Sequence, residues 1–279
     1  MSENDTGTRR GFLKATGSAA AAIAVAGCSG EPSDGTDTEP QDTPSGETDS
    51  TETEPDTEGE TGPNELNLIN GTMDSMDPVE YTLANAGEVV GQMYDSPIYN
   101  PDGTLAIEAL VATDWSVSNQ GTVYTFQLKE GVQYHGDWGE VTAQDFVYSW
   151  ERLAASENSR RAYYILDDLG VQHETTEDSE GNEVYKPGSM AVEAVDDYTI
   201  EITLSEPYHD ALGVISSDRF ASIPEGILGD IEGYDGEMEH TEFAKSSPVG
   251  SGPFKFEMWN SDQEAAVTAF EDYHGEGPM

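Results

Sequence analysis

The chain has 279 residues, enough for one large domain or two ordinary ones and for a substantial buried core. It carries 56 Asp plus Glu against 11 Lys plus Arg, a formal net charge of −45. That balance excludes nucleic-acid binding through phosphate contacts, which draw on Lys and Arg. A single cysteine excludes a disulfide framework and a cysteine-based zinc site.

At the N-terminus, the basic stretch Thr8–Lys14 (TRRGFLK) precedes an apolar run from Ala15 to Gly27, followed by Cys28. A charged region ahead of a short apolar region is the pattern of an export signal. Thirteen helical residues reach about 20 Å, short of the roughly 30 Å hydrocarbon core of a bilayer, so a membrane span is not expected. Arg9 and Arg10 with Phe12 and Leu13 look like a twin-arginine signal over residues 1–27, which implies export after folding. Val25–Cys28 (VAGC) resembles a lipobox, with cleavage before a lipid-modified Cys28. Two acyl chains there give stable anchoring at the outer membrane face.

Residues 28–63 read as a tether. Ser29–Gly62 holds 12 acidic residues, no basic one and no large hydrophobic one. Such a segment cannot bury enough apolar surface to offset the entropy of ordering it. Charge repulsion keeps it extended. Beyond Gly62, 42 carboxylates face 8 Lys plus Arg, now among aliphatic and aromatic residues in folding patterns. A folded domain of this charge repels itself in dilute buffer, and molar salt screens that repulsion within a few ångströms. A halophilic source is expected.

Leu66–Asn70 (LNLIN) alternates and predicts a first strand. A loop with Asp77 and Pro78 follows, then a helix over 84–94 with Val89, Val90 and Met93 apolar. Asn100–Thr104 is a turn. Two alternating runs flank Asn119–Gly121 as a hairpin, with Tyr124, Phe126 and Leu128 on one face of the second run. Thr142 predicts an N-cap, and Phe146, Val147, Trp150 and Leu153 form a helical stripe. The polar stretch 172–189 predicts a surface loop or hairpin. Two strands flank Asp196 and Asp197, with Tyr198, Ile200, Ile202 and Leu204 alternating. A helix is predicted within 208–215, and a turn of helix started by Pro224 within 222–228. A last hairpin is predicted from Ser251–Asn260 and Glu264–Phe270. Mixed strands and helices give an α/β or α+β class.

Several of these segments together resemble the extracellular solute-binding proteins, family 5, the oligopeptide, dipeptide and nickel receptors of ABC importers. They are Trp115–Leu153, the Met76–Pro78 triplet, Val192–Pro207, and Pro248–Trp259 leading to Phe270–Pro278. Thr142–Leu153 (TAQDFVYSWERL) is most similar to the oligopeptide-binding branch. The resemblance implies an α/β, periplasmic-binding-protein-like type II fold, whose two lobes close over a ligand by a hinge. It also implies a membrane permease partner and peptide held through main-chain hydrogen bonds. Residues 64–279 are then a solute-binding domain, with 64–94 and 224–279 as first-lobe core and 95–223 as a family-specific extra domain. The family pattern is longer than this chain. The resemblance therefore implies that only the N-terminal lobe is present, with half the cleft and without the aspartate that pairs with a peptide amino terminus.

His135, Asp137 and Glu140 (VQYHGDWGE) suggest a metal or acid–base cluster, but the spacing is not that of HExxH, and Gly136 and Gly139 favour a connector between strand and helix. Gly250–Gly252 (GSG) lacks a P-loop lysine and reads as a turn. Asn70–Thr72 is a weak glycosylation sequon. The resemblance places ligand contacts at Thr82 and Ala84 and at Tyr163 and Tyr164. The expected function is a lipid-anchored, non-catalytic, monomeric receptor with no cofactor. It would lie outside the cell, capturing oligopeptides for an ABC permease. The alternatives are a secreted metal-dependent hydrolase and a non-transport surface or sensory protein on the same fold.

Overall fold

A computed structural model describes residues 65–68, 72–101, 104–261 and 263–275. The signal over 1–27, Cys28, the tether over 28–63 and Asn70 of the sequon lie outside the described residues.

Strand pairing follows the sequence alternation. Strand β1 (Glu65–Leu68) pairs antiparallel with β11 (Glu264–Ala269), which pairs on its other edge with β10 (Phe254–Asn260). The two ends of the described chain thus share one sheet. The middle of the chain forms a four-stranded antiparallel sheet, β4 (Ala112–Ser118), β5 (Val123–Leu128), β9 (Thr199–Thr203) and β8 (Val192–Asp196), in the order β4-β5-β9-β8. Tyr124, Phe126 and Leu128 point inward from β5, opposite Ile200 and Ile202 of β9. The β4–β5 turn passes through three consecutive left-handed residues, Asn119, Gln120 and Gly121, with φ of 48°, 61° and 95°. Two short pairs complete the strands: β2 (Ile98–Tyr99) with β3 (Glu108–Ala109), and β6 (Thr175–Glu177) with β7 (Glu183–Tyr185). The latter gives the polar stretch a hairpin.

Helix α1 (Ala84–Met93) buries Ala86, Val89, Val90 and Met93. Helix α2 (Ala143–Ala155) starts at Thr142, whose backbone N–H and hydroxyl both donate to the Asp145 carboxylate, at 2.7 and 2.9 Å. The predicted stripe accounts for only part of the burial. Val147 is half-buried, whereas Asp145, Tyr148, Ser149 and Arg152 are buried as well. The helix packs on β8 and β9, and its other side is covered by segment 220–230.

That segment corrects the predicted helix within 222–228, where the structure has turns. Its backbone is satisfied by α2 side chains instead. Ser149 Oγ accepts from Ile223 N–H at 2.9 Å, the Asp145 carboxylate from Glu225 N–H at 2.7 Å, and Tyr148 Oη from Leu228 N–H at 3.0 Å. Trp150 Nε1–H donates to the Phe220 carbonyl at 2.9 Å. Paired backbone groups leave no drive toward helix. The helix predicted within 208–215 is confined to α3 (Ala211–Ile215), and α4 (His240–Lys245) precedes β10.

Gly250 and Gly252 are explained by close approach. A Cβ on Gly252 would lie 2.6 Å from the Gln92 carbonyl, and one on Gly250 would collide with the Met93 carbonyl. Gly252 N–H donates to that Met93 carbonyl at 2.9 Å, closing the end of α1.

Candidate functional site

The VQYHGDWGE stretch does not assemble a cluster. Its ends close as a narrow loop, with Tyr134 N–H bonded to the Gly139 carbonyl and Val141 N–H to Val132, at 2.9 and 2.7 Å. Gly136 and Gly139 take φ of 77° and 87°, which the left-handed turn requires. Asp137 points to solvent, while His135 is buried. His135 has a tertiary role that its turn position did not suggest. Its Nε2 lies 2.9 Å from the Gly252 carbonyl, so Nε2 carries the proton, and its N–H donates to Gly250 at 2.8 Å. Burial pushes its pKa down to about 4, so the ring is neutral. Glu140 accepts from the Tyr198 hydroxyl at 2.9 Å. No group of three His, Cys, Asp or Glu among the described residues is placed to hold a metal ion.

The four ligand-contact candidates fall on two segments that meet. Asp74 sits before the 82–84 segment, and its carboxylate accepts from Thr82 N–H at 2.6 Å, from the Thr82 hydroxyl and from Leu83 N–H at 3.3 Å. Burial alone would raise the Asp74 pKa, but these bonds hold it below its ordinary value. Thr82 therefore spends both its donors inside the protein, while Ala84 opens α1 exposed. Arg160 N–H donates to the Val79 carbonyl at 2.9 Å, which draws the second segment alongside the first. Tyr163 is 43% exposed and stacks on half-buried Tyr164, with ring centroids 4.5 Å apart and planes 27° apart. Tyr164–Asp168 is a π-helical turn.

A residue that the sequence reading missed joins the two segments. The Arg219 guanidinium stands 5.1 Å from the Tyr81 ring centroid and 5.2 Å from that of Tyr164. Tyr81 donates its hydroxyl to Asp218 at 2.8 Å, and Asp218 also meets Arg219 at 3.2 Å. Burial first and then Asp218 raise the Tyr81 pKa, keeping the phenol protonated. The available signal was an arginine with no other Lys or Arg between Lys186 and Lys245, in an acidic, tyrosine-rich chain where aromatic faces offer a cation a partner.

Behind this surface lies a buried charge network. Arg152 donates to Asp77 at 2.8 Å and to Asp230 at 2.7 Å. Ser156 and Asn158 add donors to Asp230 at 2.6 and 3.2 Å, and His240 Nε2 lies 3.2 Å from Asp77. Burial pushes both aspartates up, but Arg152 and the other donors overcome it and hold them below the usual carboxylate range. Asp77 also accepts Val79 N–H at 3.1 Å, so the network fixes the loop that leads to Tyr81 and Thr82.

The comparisons with known proteins agree with this architecture. The family described as bacterial extracellular solute-binding proteins, family 5 Middle, matches residues 106–279. The chain belongs to that family, and its fold is the type II periplasmic-binding-protein fold in part. It is 28% identical over 207 residues to the dipeptide-binding protein of Escherichia coli K12, covering 68% of this chain and 35% of the relative. Among solved structures it resembles DppA of Helicobacter pylori, an ABC-transporter-associated periplasmic binding protein in complex with the peptide STSA. That likeness has a TM-score of 0.57 at 28% identity, over 75% of this chain and 39% of the other. MoaA of A. tumefaciens R10 in complex with mannopinic acid gives a TM-score of 0.58 at 25% identity, over 74% and 36%. The chain spans about a third of the length of the curated relatives it matches.

Proposed function

We propose that this chain belongs to the solute-capturing lipoprotein of an ABC importer that takes up oligopeptides. Twin-arginine export and lipidation at Cys28 would place it on the outer face of the cytoplasmic membrane, with residues 28–63 as spacer. It would act as a monomer without catalysis and deliver its ligand to the permease. Residues 64–94 and 224–279 would form the lobe core, with 95–223 the added domain. Thr82, Ala84, Tyr163 and Tyr164 would line the ligand wall. The surplus of acid in the folded part supports a halophilic setting.

The observation that carries this reading is the joining of exposed Tyr163 and the 82–84 segment through Arg219, within a chain of this family. Exposed aromatic rings on a rigid support are a recognition surface, since they bury large area at little entropic cost. Thr82 contributes through its placement rather than its donors, which Asp74 occupies.

The test is uptake. Cells lacking the gene should lose import of a labelled tripeptide pool, and the wild-type gene should restore it. C28S should release the protein into the medium, and R9K/R10K should retain it inside. Unchanged uptake in the deletion strain, or peptide hydrolysis by the purified full-length protein, overturns the reading.

A further inference from the structure

We propose that Arg161 and Arg219 form a carboxylate-recognition subsite on the Tyr81–Tyr163–Tyr164 surface, so that the solute is held here by an anionic end. The proposal rests on the ligand wall proposed above and names the chemistry it selects.

The folded part has 42 carboxylates for 8 Lys plus Arg, and of these cations Arg152, Lys186 and Arg219 meet a carboxylate at ion-pair distance among the described residues. Arg152 is shared by two aspartates, and Lys186 pairs with Glu174. Lys245 bonds the Asp74 carbonyl and lies over Trp259, and Lys129 meets His274. Arg161 faces no carboxylate at ion-pair distance among the described residues, and its Nη1 reaches only the Arg160 carbonyl, at 3.5 Å. Arg219 has only its neighbour Asp218, at 3.2 Å, and Ser217 Oγ at 3.1 Å. Asp218 is already occupied by the Tyr81 hydroxyl.

Both Nε–H groups, of Arg161 and of Arg219, are shielded from water and bond to nothing among the described residues. A shielded donor without a partner is costly unless a ligand completes it. Arg161 lies two residues before Tyr163, whose ring stacks on Tyr164, and the Arg219 guanidinium stands 5.2 Å from that Tyr164 ring, so both arginines border the tyrosine pair. The Arg219 fork is held between two rings, and a planar fork fixed in advance suits bidentate capture of a carboxylate. Elsewhere the negative field of the protein disfavours anions, so this local pair sets which end of a solute enters. The same chemistry fits the C-terminal carboxylate of a peptide and a free organic acid.

Calorimetry in fixed molar KCl on the full-length protein separates these sources. The probes are a tripeptide pool with free carboxylates, the same pool as C-terminal amides, and succinate. If peptides are the source, the acid pool binds at least tenfold more tightly than the amide pool. R161Q and R219Q then abolish the preference for the acid pool over the amide pool. If a free acid is the source, succinate binds, both variants abolish that binding, and the peptide reading falls while the subsite stands. Equal binding of acids and amides, or equal weakening of both pools by the variants, overturns the subsite and leaves the peptide reading intact. No binding by any probe overturns both. Should R219Q fail to fold, R161Q and R219K carry the test: R219K keeps the charge, loses the fork, and is expected to lose acid-over-amide selectivity.

Discussion

Arg152 and Asp77 meet at 2.8 Å with side chains 1% and 0% exposed, 75 residues apart in sequence. The same guanidinium holds Asp230. One helical residue thus fastens the loop before α1 and the segment after α2. Removing it leaves two buried carboxylates uncompensated. R152L is expected to cost about 3–5 kcal/mol. Urea unfolding in molar KCl measures it. In a double-mutant cycle, D77N/R152Q should cost clearly less than D77N and R152Q added together. Additive costs would show that the pair is not coupled.

His135 makes stability depend on pH in one direction. Its folded pKa, about 4, lies below the ordinary 6.5, so the unfolded chain binds more protons between those values. Its contribution is complete above pH 6.5 and is lost as pH falls toward 4. The displacement corresponds to about 3 kcal/mol. The stability advantage of wild type over H135Q should therefore shrink by roughly that amount between pH 7 and pH 4. A constant difference would refute the burial argument.

His240 runs the other way. The hydrogen bond to Asp77 raises its pKa against the opposing effect of burial. Its contribution is present below the unfolded value and is lost as pH rises through the higher folded value. Wild type should exceed H240Q in stability at pH 5.5 and lose that margin by pH 8.5, read from thermal midpoints.

Gly250 and Gly252 are expected to reject a methyl group because α1 carbonyls occupy the space. G250A and G252A should each destabilise by about 3 kcal/mol, the upper range for overpacking. Gly139 has φ of 87° but open space around it. G139A should cost only about 1–2 kcal/mol, the left-handed penalty alone. Losses at Gly250 and Gly252 no larger than the loss at Gly139 would refute the contact argument.

The excess of 42 carboxylates over 8 cations beyond Gly62 should make folding salt-dependent. The thermal midpoint is expected to rise steeply from 0.1 to about 1 M KCl as the screening length falls from about 10 to 3 Å. A midpoint indifferent to salt would remove the halophilic reading.

The local architecture was legible because it rests on short-range geometry. Alternation in Tyr124–Leu128 and Tyr198–Leu204 set strand faces, Thr142 with Asp145 set a helix start, and the ordered family segments set the fold class. What the sequence did not reveal depends on pairings between distant residues. Pro224 predicts a turn of helix within 222–228, but that segment is bound by α2 side chains about 74–80 residues away. Arg152 sat in a helical pattern with nothing to mark it as buried, and His135 sat in a turn with nothing to mark its bond to Gly252, 117 residues away. Arg219 was one basic residue among acids until the fold set it between Tyr81 and Tyr164. Periodicity and caps are properties of neighbours a few residues apart, so the sequence determined them. Which carboxylates an arginine neutralises, and which arginine is left open to a ligand, is decided only when long-range packing brings those groups within a few ångströms.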